Sequence, residues 1–426
     1  MSPTFRALAI HNYRLFFLAS LVTNTGTWMQ RVAQDWLVVN DLGAGGIGLG
    51  LTTGLQFLPF LLVTPFAGVL ADRFPKRILM TITQSIMAAS SLVLGLLVIT
   101  DVVQLWHVYA LALISGTGAA IDTPVRQAFV TELVGRDDLP NAVALNSTTF
   151  HGARVLGPAL AGFLILAVDT GPVFLINFLT FAAVFVALWR MRAAELDPAP
   201  RAERGPGLMR EGLRYVRSRP DLRAILLAVF FVGTFGLNFQ MTSALMATEV
   251  FDQDAGGYGL LGSIMAVGSL AGALLAARRT VVRMRLVIGA GIVFGLIEIA
   301  VGLMPTYVTF AIALVPLGLA ALTFMTAANT MMQLSVSPHL RGRVMALYMT
   351  VFIGGTPLGA PVVGWIGEAY GARWTLLGGG ILSVLGVAAA GVMLLRRTGK
   401  TVRTTFRPWP RLEIAHASVA DRVQQA

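Results

Sequence analysis

The chain contains 426 residues, of which 56% are hydrophobic and only 12% are charged. A typical soluble protein carries about 25% charged residues, so this composition excludes an ordinary water-soluble enzyme. The 45 glycines and 19 prolines fit a chain dissolved in lipid, where both residues are tolerated inside helices. Because the sequence has no cysteine, disulfides, zinc–thiolate sites and iron–sulfur clusters are excluded as well.

Apolar runs long enough to cross a bilayer recur along the whole chain. A membrane-spanning helix needs about 20 predominantly apolar residues. The twelve segments that meet this length, numbered as spans 1 to 12, are residues 15–39, 47–71, 78–100, 105–129, 142–168, 173–190, 224–248, 258–277, 286–304, 307–333, 343–368 and 375–395. The pattern predicts an all-α membrane protein with twelve transmembrane helices in two pseudo-symmetric six-helix halves around a central cavity.

The longest connection separates span 6 from span 7 and divides the chain. We predict an N-terminal half at 1–192, a cytoplasmic linker at 193–223, a C-terminal half at 224–395 and a basic cytoplasmic tail at 396–426. The linker sequence LMREGLRYVRSRPDLR mixes apolar and basic residues, which fits either a short interfacial helix or a solvated loop. The tail, with aromatic residues among its basic ones, fits either contact with lipid headgroups or a segment without regular structure.

Lysine and arginine lie almost entirely on one side of the predicted membrane. With the N-terminus inside, the inner segments hold 28 of the 32 Lys and Arg residues, whereas Arg373 stands alone in an outer loop. Basic loops stay in the cytoplasm, so we expect a multi-pass protein of the bacterial cytoplasmic (inner) membrane with both termini inside. The net charge of +11 then faces anionic inner-leaflet headgroups, which makes membrane lipids the expected partner and excludes nucleic acid.

The two halves resemble each other at a constant offset. At 202 residues the matched glycines are Gly116 with Gly318, Gly152 with Gly354, Gly157 with Gly359 and Gly162 with Gly364. A weaker match at an offset of 210 pairs Gly26 with Gly236 and Gln30 with Gln240. Two related halves that enclose a central site predict the architecture of a transporter.

Two motifs are similar to those of a known superfamily. GVLADRFPKR at 68–77 resembles the loop signature of the major facilitator superfamily, and GARVLGPALAG at 152–162 is similar to the helix-5 motif of its drug and metabolite antiporters. Over residues 5–395 the chain resembles the exporter branch that contains enterobactin and macrolide efflux proteins. It departs from the superfamily in span 4, where Ala112 and Ser115 stand in place of a motif that contains an arginine.

The resemblance implies a proton-coupled antiporter that exports amphipathic small molecules or drugs by alternating access. It implies no cofactor and no metal, with the proton as coupling ion, and a protein that functions as a monomer. An exporter of a siderophore or another native metabolite is the alternative. A membrane-embedded enzyme or channel is more remote, because the sequence contains neither H-E-x-x-H nor G-x-S-x-G and no catalytic residues are assigned.

The loop motif implies a cytoplasmic gate. The gate set is Gly68, Asp72, Arg73 and Arg77. Asp72 ends span 2 on the side where span 11 begins, so we expect its carboxylate to face the positive N-terminal dipole of that helix. The basic side chains of the loop are then expected to reach Glu132, Asp137 or lipid phosphates. A plain positive-inside loop would explain the basic residues but not the glycine and the aspartate.

Ionisable residues inside the spans are functional candidates, because each costs about 2.5–3.5 kcal/mol at the centre of a helix on insertion scales. The proton-coupling candidates are Asp35, Asp122 and Glu298, and their candidate charge partners are Arg31, Arg126 and Arg154. Asp35 lies four residues after Arg31, which fits either a structural ion pair or a carboxylate that binds a proton. Asp122 could bridge to Arg126 or to Arg154, as a permanent strut or as a titrating link.

Small residues, prolines and aromatic residues complete the candidate site. Glycine and proline permit close helix approach and bending, and the helix-5 set is Gly152, Gly157, Pro158 and Gly162. Aromatic and amide side chains suit the wall of an adaptable cavity. The candidates for that wall are Trp28, Gln30, Gln34, Phe150, Phe235, Asn238, Phe239, Gln240, Phe324 and Asn329.

The charge asymmetry yields a test of topology. Because the natural chain has no cysteine, Ser218→Cys introduces one unambiguous probe into the linker. We expect a membrane-impermeant maleimide to label this cysteine only after the cells are permeabilised. Labelling in intact cells would overturn the proposed orientation.

Overall fold

The structure is a computed structural model that describes residues 3–63, 66–67, 70, 73–196, 208–279, 282–337, 340–398, 400–407 and 409–416. Eleven helices in these segments are long and apolar enough to cross a membrane. Together with the first long helix they are α1 His11–Trp36, α2 Gly45–Leu62, α3 Lys76–Ile99, α4 Leu105–Gly135, α5 Asp137–Val168, α6 Thr170–Arg190, α7 Pro220–Val250, α8 Ala255–Ala276, α9 Met284–Gly302, α10 Tyr307–Ser335, α11 Arg341–Tyr370 and α12 Ala372–Arg396.

α1 is long enough to cross a bilayer with its 26 residues, but it is more polar than the other eleven helices. Gln30, Gln34 and Asp35 on this helix are all buried. A helix carries such residues through hydrocarbon only where they face protein or water. α1 therefore also crosses the membrane, which brings the number of membrane helices in the described residues to twelve. Its polar residues indicate a helix that faces a functional interior rather than a soluble segment.

Consecutive helices run in opposite directions, which gives the bundle two distinct ends. The linker end holds the start of α1 and the connection between α6 and α7. The distal end holds the turns after α1, α3, α5, α7, α9 and α11. Gly371 at the distal end has φ 94°, and Gly135, which separates α4 from α5 at the linker end, has φ 58°. Side chains other than glycine are strained at such angles, so glycine permits both reversals.

α4 and α5 extend farther toward the linker end than the predicted spans 4 and 5. The additional turns carry acidic residues that form ion pairs within the N-terminal half. Lys76 Nζ lies 2.5 Å from Glu132 Oε1, and Arg6 Nε lies 2.8 Å from Asp138 Oδ1. The first pair confirms one contact expected for the loop motif. Because these residues are charged, hydropathy alone ended span 4 too early and began span 5 too late.

Matched glycines make equivalent contacts in the two halves. A Cβ atom on Gly116 would lie 2.1 Å from the carbonyl oxygen of Gln56, and one on Gly318 would lie 2.3 Å from that of Met265. The first contact joins α4 to α2 and the second joins α10 to α8, which are the corresponding helix pairs. The repeat read from the sequence is thus present in the packing.

Two further glycine contacts join the halves to each other. A Cβ on Gly162 of α5 would lie 2.6 Å from the carbonyl oxygen of Ala255 on α8, and one on Gly364 of α11 would lie 2.2 Å from that of Gly46 on α2. We call these two helix pairs the seams. Both glycine contacts lie near the distal end, so the seams close that end of the bundle.

α7 is interrupted near its middle. A π-helical turn at Val232–Gly236 is followed by Leu237 and Asn238, which are not helical, and the α-helix resumes at Phe239–Leu245. The Asn238 side chain donates a hydrogen bond from Nδ2 to the carbonyl oxygen of Thr234 at 2.8 Å, which satisfies an acceptor near the break. Interruptions of this kind are frequent at functional sites.

The linker contains a short helix at Leu208–Ser218. Its Val216 is buried, and its Glu211 pairs with Arg343 near the start of α11. Of the two expectations for this segment, the structure has the helix. Residues 197–207 of the linker lie outside the described part of the chain.

The tail forms an antiparallel hairpin of β1 Lys400–Arg407 and β2 Trp409–His416. The expectation of a segment without regular structure is therefore wrong for these residues. β-Branched and aromatic residues are dense in both strands, as in TVRTTF, and such residues favour extended backbone.

The seams yield a prediction about stability. Gly364→Ala places a methyl group against the backbone of α2, and overpacking of this kind costs about 1–3 kcal/mol. We expect the unfolding temperature of the purified protein to fall. Gly289→Ala is the matched control, because a Cβ there meets nothing within 4 Å. Equal unfolding temperatures for the two variants would contradict the seam contact.

Candidate functional site

A cavity of about 290 Å³ lies between the two halves. The N-terminal half contributes side chains of α1, α2 and α5 to its wall, and the C-terminal half contributes α7, α8, α10 and α11. α1 supplies Trp28, Arg31, Val32 and Asp35. The interrupted part of α7 faces the same space through Leu237. A small molecule in this cavity would contact both halves at once.

Asp35 connects the halves across the cavity wall. Tyr258 of α8 donates a hydrogen bond from its hydroxyl to Asp35 Oδ2 at 2.8 Å, and the same hydroxyl lies 3.3 Å from the carbonyl oxygen of Gln240. The carboxylate is 7% exposed. Sequence reasoning missed Tyr258, because a tyrosine at the start of a span is usually an interfacial anchor.

Arg31 does not form an ion pair with Asp35, which is one of the two alternatives that the sequence leaves open. Among the described residues it has no carboxylate oxygen within 4.0 Å. Its guanidinium instead lies over the rings of Trp28 and Phe57, at 4.9 and 5.4 Å from their centroids. Aromatic faces attract a guanidinium, and the carboxylate of Asp35 is already engaged by Tyr258.

Arg154 also faces the cavity rather than Asp122. Its guanidinium lies 5.4 Å from the centroid of Trp28, so both cavity arginines contact the same indole ring. The alternative in which Asp122 bridges to Arg154 is therefore wrong. Depth in the membrane suggested that bridge, but the two side chains leave their helices in different directions.

Asp122 and Arg126 form a satisfied polar cluster inside the N-terminal half. Asp122 Oδ2 lies 3.0 Å from Arg126 Nε. Its Oδ1 accepts hydrogen bonds from Thr83 Oγ1 at 2.9 Å and Gln84 Nε2 at 3.0 Å. Arg126 Nη1 donates to Ser20 Oγ at 2.9 Å. The cluster ties α1, α3 and α4 together and lies outside the cavity wall, which favours a structural strut.

Glu298 lies inside the C-terminal half, between α7, α9 and α12. It is 1% exposed, and a Cβ on Gly236 would lie 3.1 Å from its Oε2 and 2.7 Å from Ser383 Oγ. Neither of these two oxygens has a hydrogen-bond partner in the described structure. Glu298 is separated from the cavity by the interrupted part of α7.

The structure brings some of the predicted cavity residues together and places others elsewhere. Trp28, Asn238, Phe239 and Gln240 line the cavity. Phe150 stands beside it, with its ring 5.9 Å from that of Trp28. These side chains thus lie at or beside the cavity, as the sequence predicted, although residue type alone could not establish where they lie.

Five predicted residues lie outside the main cavity. Gln30 lines a separate space of about 40 Å³ in the N-terminal half, Gln34 is buried in α1, Phe235 packs on Phe231, Phe324 is fully buried in the core, and Asn329 accepts a hydrogen bond from Gln333. These residues share the composition of a cavity wall but point to other neighbours. The rotation of a helix about its axis, which decides this, depends on tertiary packing.

Residues of the helix-5 set take part in two helix contacts, one with α1 and one with α8. A Cβ on Gly157 would lie 2.5 Å from the Cβ of Trp28, so this glycine lets α5 approach α1 beside the cavity. Pro158 contacts Gly262 of α8 and belongs, with Gly162, to a seam. Gly152 has nothing within 4 Å of such a Cβ, so packing does not require a glycine there.

The gate set is only partly described. Gly68 and Asp72 lie outside the described residues, and their role stays a prediction. Arg73 is exposed. Arg77 donates a hydrogen bond to the carbonyl oxygen of Leu188, so it reaches the end of α6 rather than an acidic side chain.

The polar cluster yields a prediction. Asp122→Asn leaves Arg126 without its carboxylate in a largely buried site, and breaking such a pair costs about 3–5 kcal/mol. We expect a lower unfolding temperature for this variant. The double variant Asp122→Asn with Arg126→Gln should recover most of the loss. If the single variant is as stable as the natural protein, the cluster is not a strut.

The chain matches known proteins over nearly its whole length. A model of the transmembrane secretion effector family matches residues 2–423. The staphyloferrin A transporter of Staphylococcus aureus is 22% identical over 389 residues, which cover 90% of this chain and 94% of that protein. The multidrug efflux pump Tap of Mycolicibacterium fortuitum is 25% identical over 394 residues, covering 90% and 96%. The enterobactin exporter EntS of Shigella flexneri is also 25% identical over 394 residues, covering 90% of each chain.

Solved structures share the fold at low identity. A bacterial homolog of the human lysosomal transporter Spinster, crystallised in an inward-facing and unoccupied conformation, has a TM-score of 0.69 and 17% identity, with 93% of this chain and 98% of that chain covered. A POT family transporter in complex with 5-aminolevulinic acid has a TM-score of 0.74 and 11% identity, with 91% and 96% covered. The chain thus belongs to the transmembrane secretion effector family of the major facilitator superfamily, and it is a multi-pass membrane transporter rather than an enzyme.

Proposed function

We propose that the protein is a secondary transporter of the bacterial cytoplasmic membrane that exports amphipathic small molecules or drugs in exchange for protons. The observation that carries this proposal is the cavity between the halves, whose wall holds the carboxylate of Asp35 bonded across the halves to Tyr258. The proton is the coupling ion, no cofactor takes part, and the transporter acts as a monomer.

Transport proceeds by alternating access. The basic residues at the linker end favour a cytoplasmic location for that end. In this proposed orientation, the two seams close the extracytoplasmic side of the described state. Rocking of the related halves would separate the seams and expose the cavity to the other side. The glycine contacts of the seams suit this motion, because helix backbones in direct contact can separate without the movement of interlocked long side chains.

Asp35 is the proposed point of proton coupling. As an anion it accepts a charge-assisted hydrogen bond from Tyr258, and such bonds are roughly twice as strong as neutral ones. This bond holds α1 to α8 while the extracytoplasmic side is closed. A proton on Asp35 weakens the bond, and a substrate that competes for Tyr258 or Arg31 weakens it too. The strength of this contact therefore depends on both the proton and the substrate.

A siderophore or another native metabolite is the second candidate substrate. The functions of the relatives support both classes, since these relatives include a multidrug efflux pump and transporters of staphyloferrin A and enterobactin. The two arginines in the cavity favour a compound that carries hydrogen-bond acceptors. Uptake into inverted vesicles with an imposed proton gradient, across a panel of drugs and siderophores, would identify the transported compound.

The coupling role yields a prediction for the compound found in that panel. In proteoliposomes, Asp35→Asn should reduce transport driven by a proton gradient to the level of empty vesicles, because the variant has no titratable group at this position. Exchange of labelled for unlabelled substrate without a gradient should persist.

The Asp122→Asn, Arg126→Gln double variant is the control, since it removes a carboxylate outside the cavity, and it should retain gradient-driven transport. Gradient-driven transport by Asp35→Asn at the natural rate would refute the coupling role of Asp35. Glu298 would then be the remaining candidate for proton coupling.

A further inference from the structure

The cavity contains two arginines that lack an acidic partner. The guanidinium groups of Arg31 and Arg154 both lie about 5 Å from the ring of Trp28, at 4.9 and 5.4 Å. In the described part of the chain neither group has a carboxylate oxygen within 4.0 Å. Contact with an indole face compensates only part of the cost of taking a guanidinium out of water.

Two other arginines of the described membrane helices, Arg126 and Arg373, have oxygen partners. Arg126 is bonded to Asp122 and to Ser20, and Arg373 donates to the carbonyl oxygens of Gly302 and Met304 at the end of α9. The two cavity arginines differ from Arg126 and Arg373 in this respect. Their free donors line the space in which a substrate would lie.

The cavity carries a net positive charge even when Asp35 is ionised. Among the described residues that line it, Asp35 is the only acidic one, against the two guanidinium groups. The Asp35 carboxylate is also occupied by the hydroxyl of Tyr258. A cationic substrate would meet repulsion from two groups here, whereas an anion would neutralise the excess charge.

The remaining wall suits an apolar body. Its aromatic and thioether side chains include Phe57, Phe239, Phe352, Met265 and Met325. Methionine and aromatic side chains adapt to flat ring systems. The volume of about 290 Å³ lies near the lower limit of ligand cavities, which is about 300 Å³. The cavity fits a compact molecule with one polar end.

We propose that the transported substrates are compact amphipathic carboxylates whose anionic group binds between Arg31 and Arg154. This inference rests on the proposed transport function and names the chemical class of its substrate. A carboxylate accepts paired hydrogen bonds from a guanidinium group. It therefore satisfies the hydrogen-bond donors that the protein leaves free. The apolar part of the substrate then packs against the aromatic and methionine side chains of the C-terminal half.

An anionic substrate also agrees with the direction of export. Exchange of a monoanion leaving the cell for a proton entering it moves positive charge inward twice, so a membrane potential that is negative inside drives both steps. Within the cavity, an anion on Arg31 repels the carboxylate of Asp35 and competes for the hydroxyl of Tyr258. It thereby loosens the same contact that a proton loosens.

Equilibrium binding to the full-length protein in lipid nanodiscs tests this proposal without any proton gradient. The probes share a naphthalene body and differ only in charge: naphthylacetate, naphthylethanol and naphthylmethyl-trimethylammonium. We expect naphthylacetate to bind at least about tenfold more tightly than the alcohol, which corresponds to one charge-assisted contact, and the ammonium compound to bind least.

Variants locate the anion. Arg31→Gln and Arg154→Gln should each weaken naphthylacetate binding about tenfold and leave naphthylethanol binding unchanged. Arg31→Lys and Arg154→Lys keep the charge and should lose less affinity. Arg285→Gln, at an exposed position away from the cavity, is the matched control and should bind all three probes as the natural protein does. Unfolding temperatures verify that each variant is folded.

The proposal is overturned if naphthylacetate shows no saturable binding, if the ammonium compound binds as tightly, or if the folded Gln variants keep full affinity for naphthylacetate. Should a Gln variant fail to fold, the Lys variants decide by the same comparison. These results are independent of proton coupling. Anion-selective binding without gradient-driven transport would leave this inference intact and refute the proposed function. Proton-driven export of neutral or cationic compounds alone would refute this inference and leave the proposed function intact.

Discussion

A charged side chain is stable inside a hydrocarbon layer only where protein or water surrounds it, and this constraint arranges the polar residues of the bundle. Asp122 and Arg126 meet it by satisfying each other and three polar neighbours between helices of one half. Asp35, Arg31 and Arg154 meet it by facing the cavity. The first group therefore ties helices of one half to each other, while the second lies where the two halves meet.

Glycine provides the complementary constraint, because helix backbones approach within contact distance only where no side chain stands between them. The contacts at Gly116 and Gly318 build the corresponding interiors of the two halves, and those at Gly162 and Gly364 form the seams between them. One repeated small-residue pattern thus serves two purposes. It makes each half compact, and it leaves an interface between the halves with little side-chain interlocking.

The sequence predicted the helices closely and the site only in part. Hydropathy locates apolar runs, so it placed the spans but left out the charged end of α4 and the charged start of α5. Spacing identified Asp35 and Arg31 as neighbours on one helix, yet their partners come from elsewhere: Tyr258 lies more than two hundred residues away, and Phe57 lies on α2. The misplacement of Phe235 and Phe324 has the same origin. Residue type shows which side chains suit a cavity, whereas the rotation of each helix depends on packing partners that are distant in the chain.

The partner of Asp35 is a tyrosine rather than an arginine, and this difference matters for a contact that breaks in every round of the proposed cycle. Separating a buried ion pair costs about 3–5 kcal/mol, whereas a hydrogen bond to a charged group contributes about 1.5–3 kcal/mol. Arg31, which has the charge for an ion pair, belongs to the same helix as Asp35 and moves with it, so it does not fasten the halves. A hydroxyl bond is also easily replaced by one to water or substrate. The halves are thus held by an interaction strong enough to bias the closed seam and, in the proposed cycle, weak enough for a single proton or a single anion to release it.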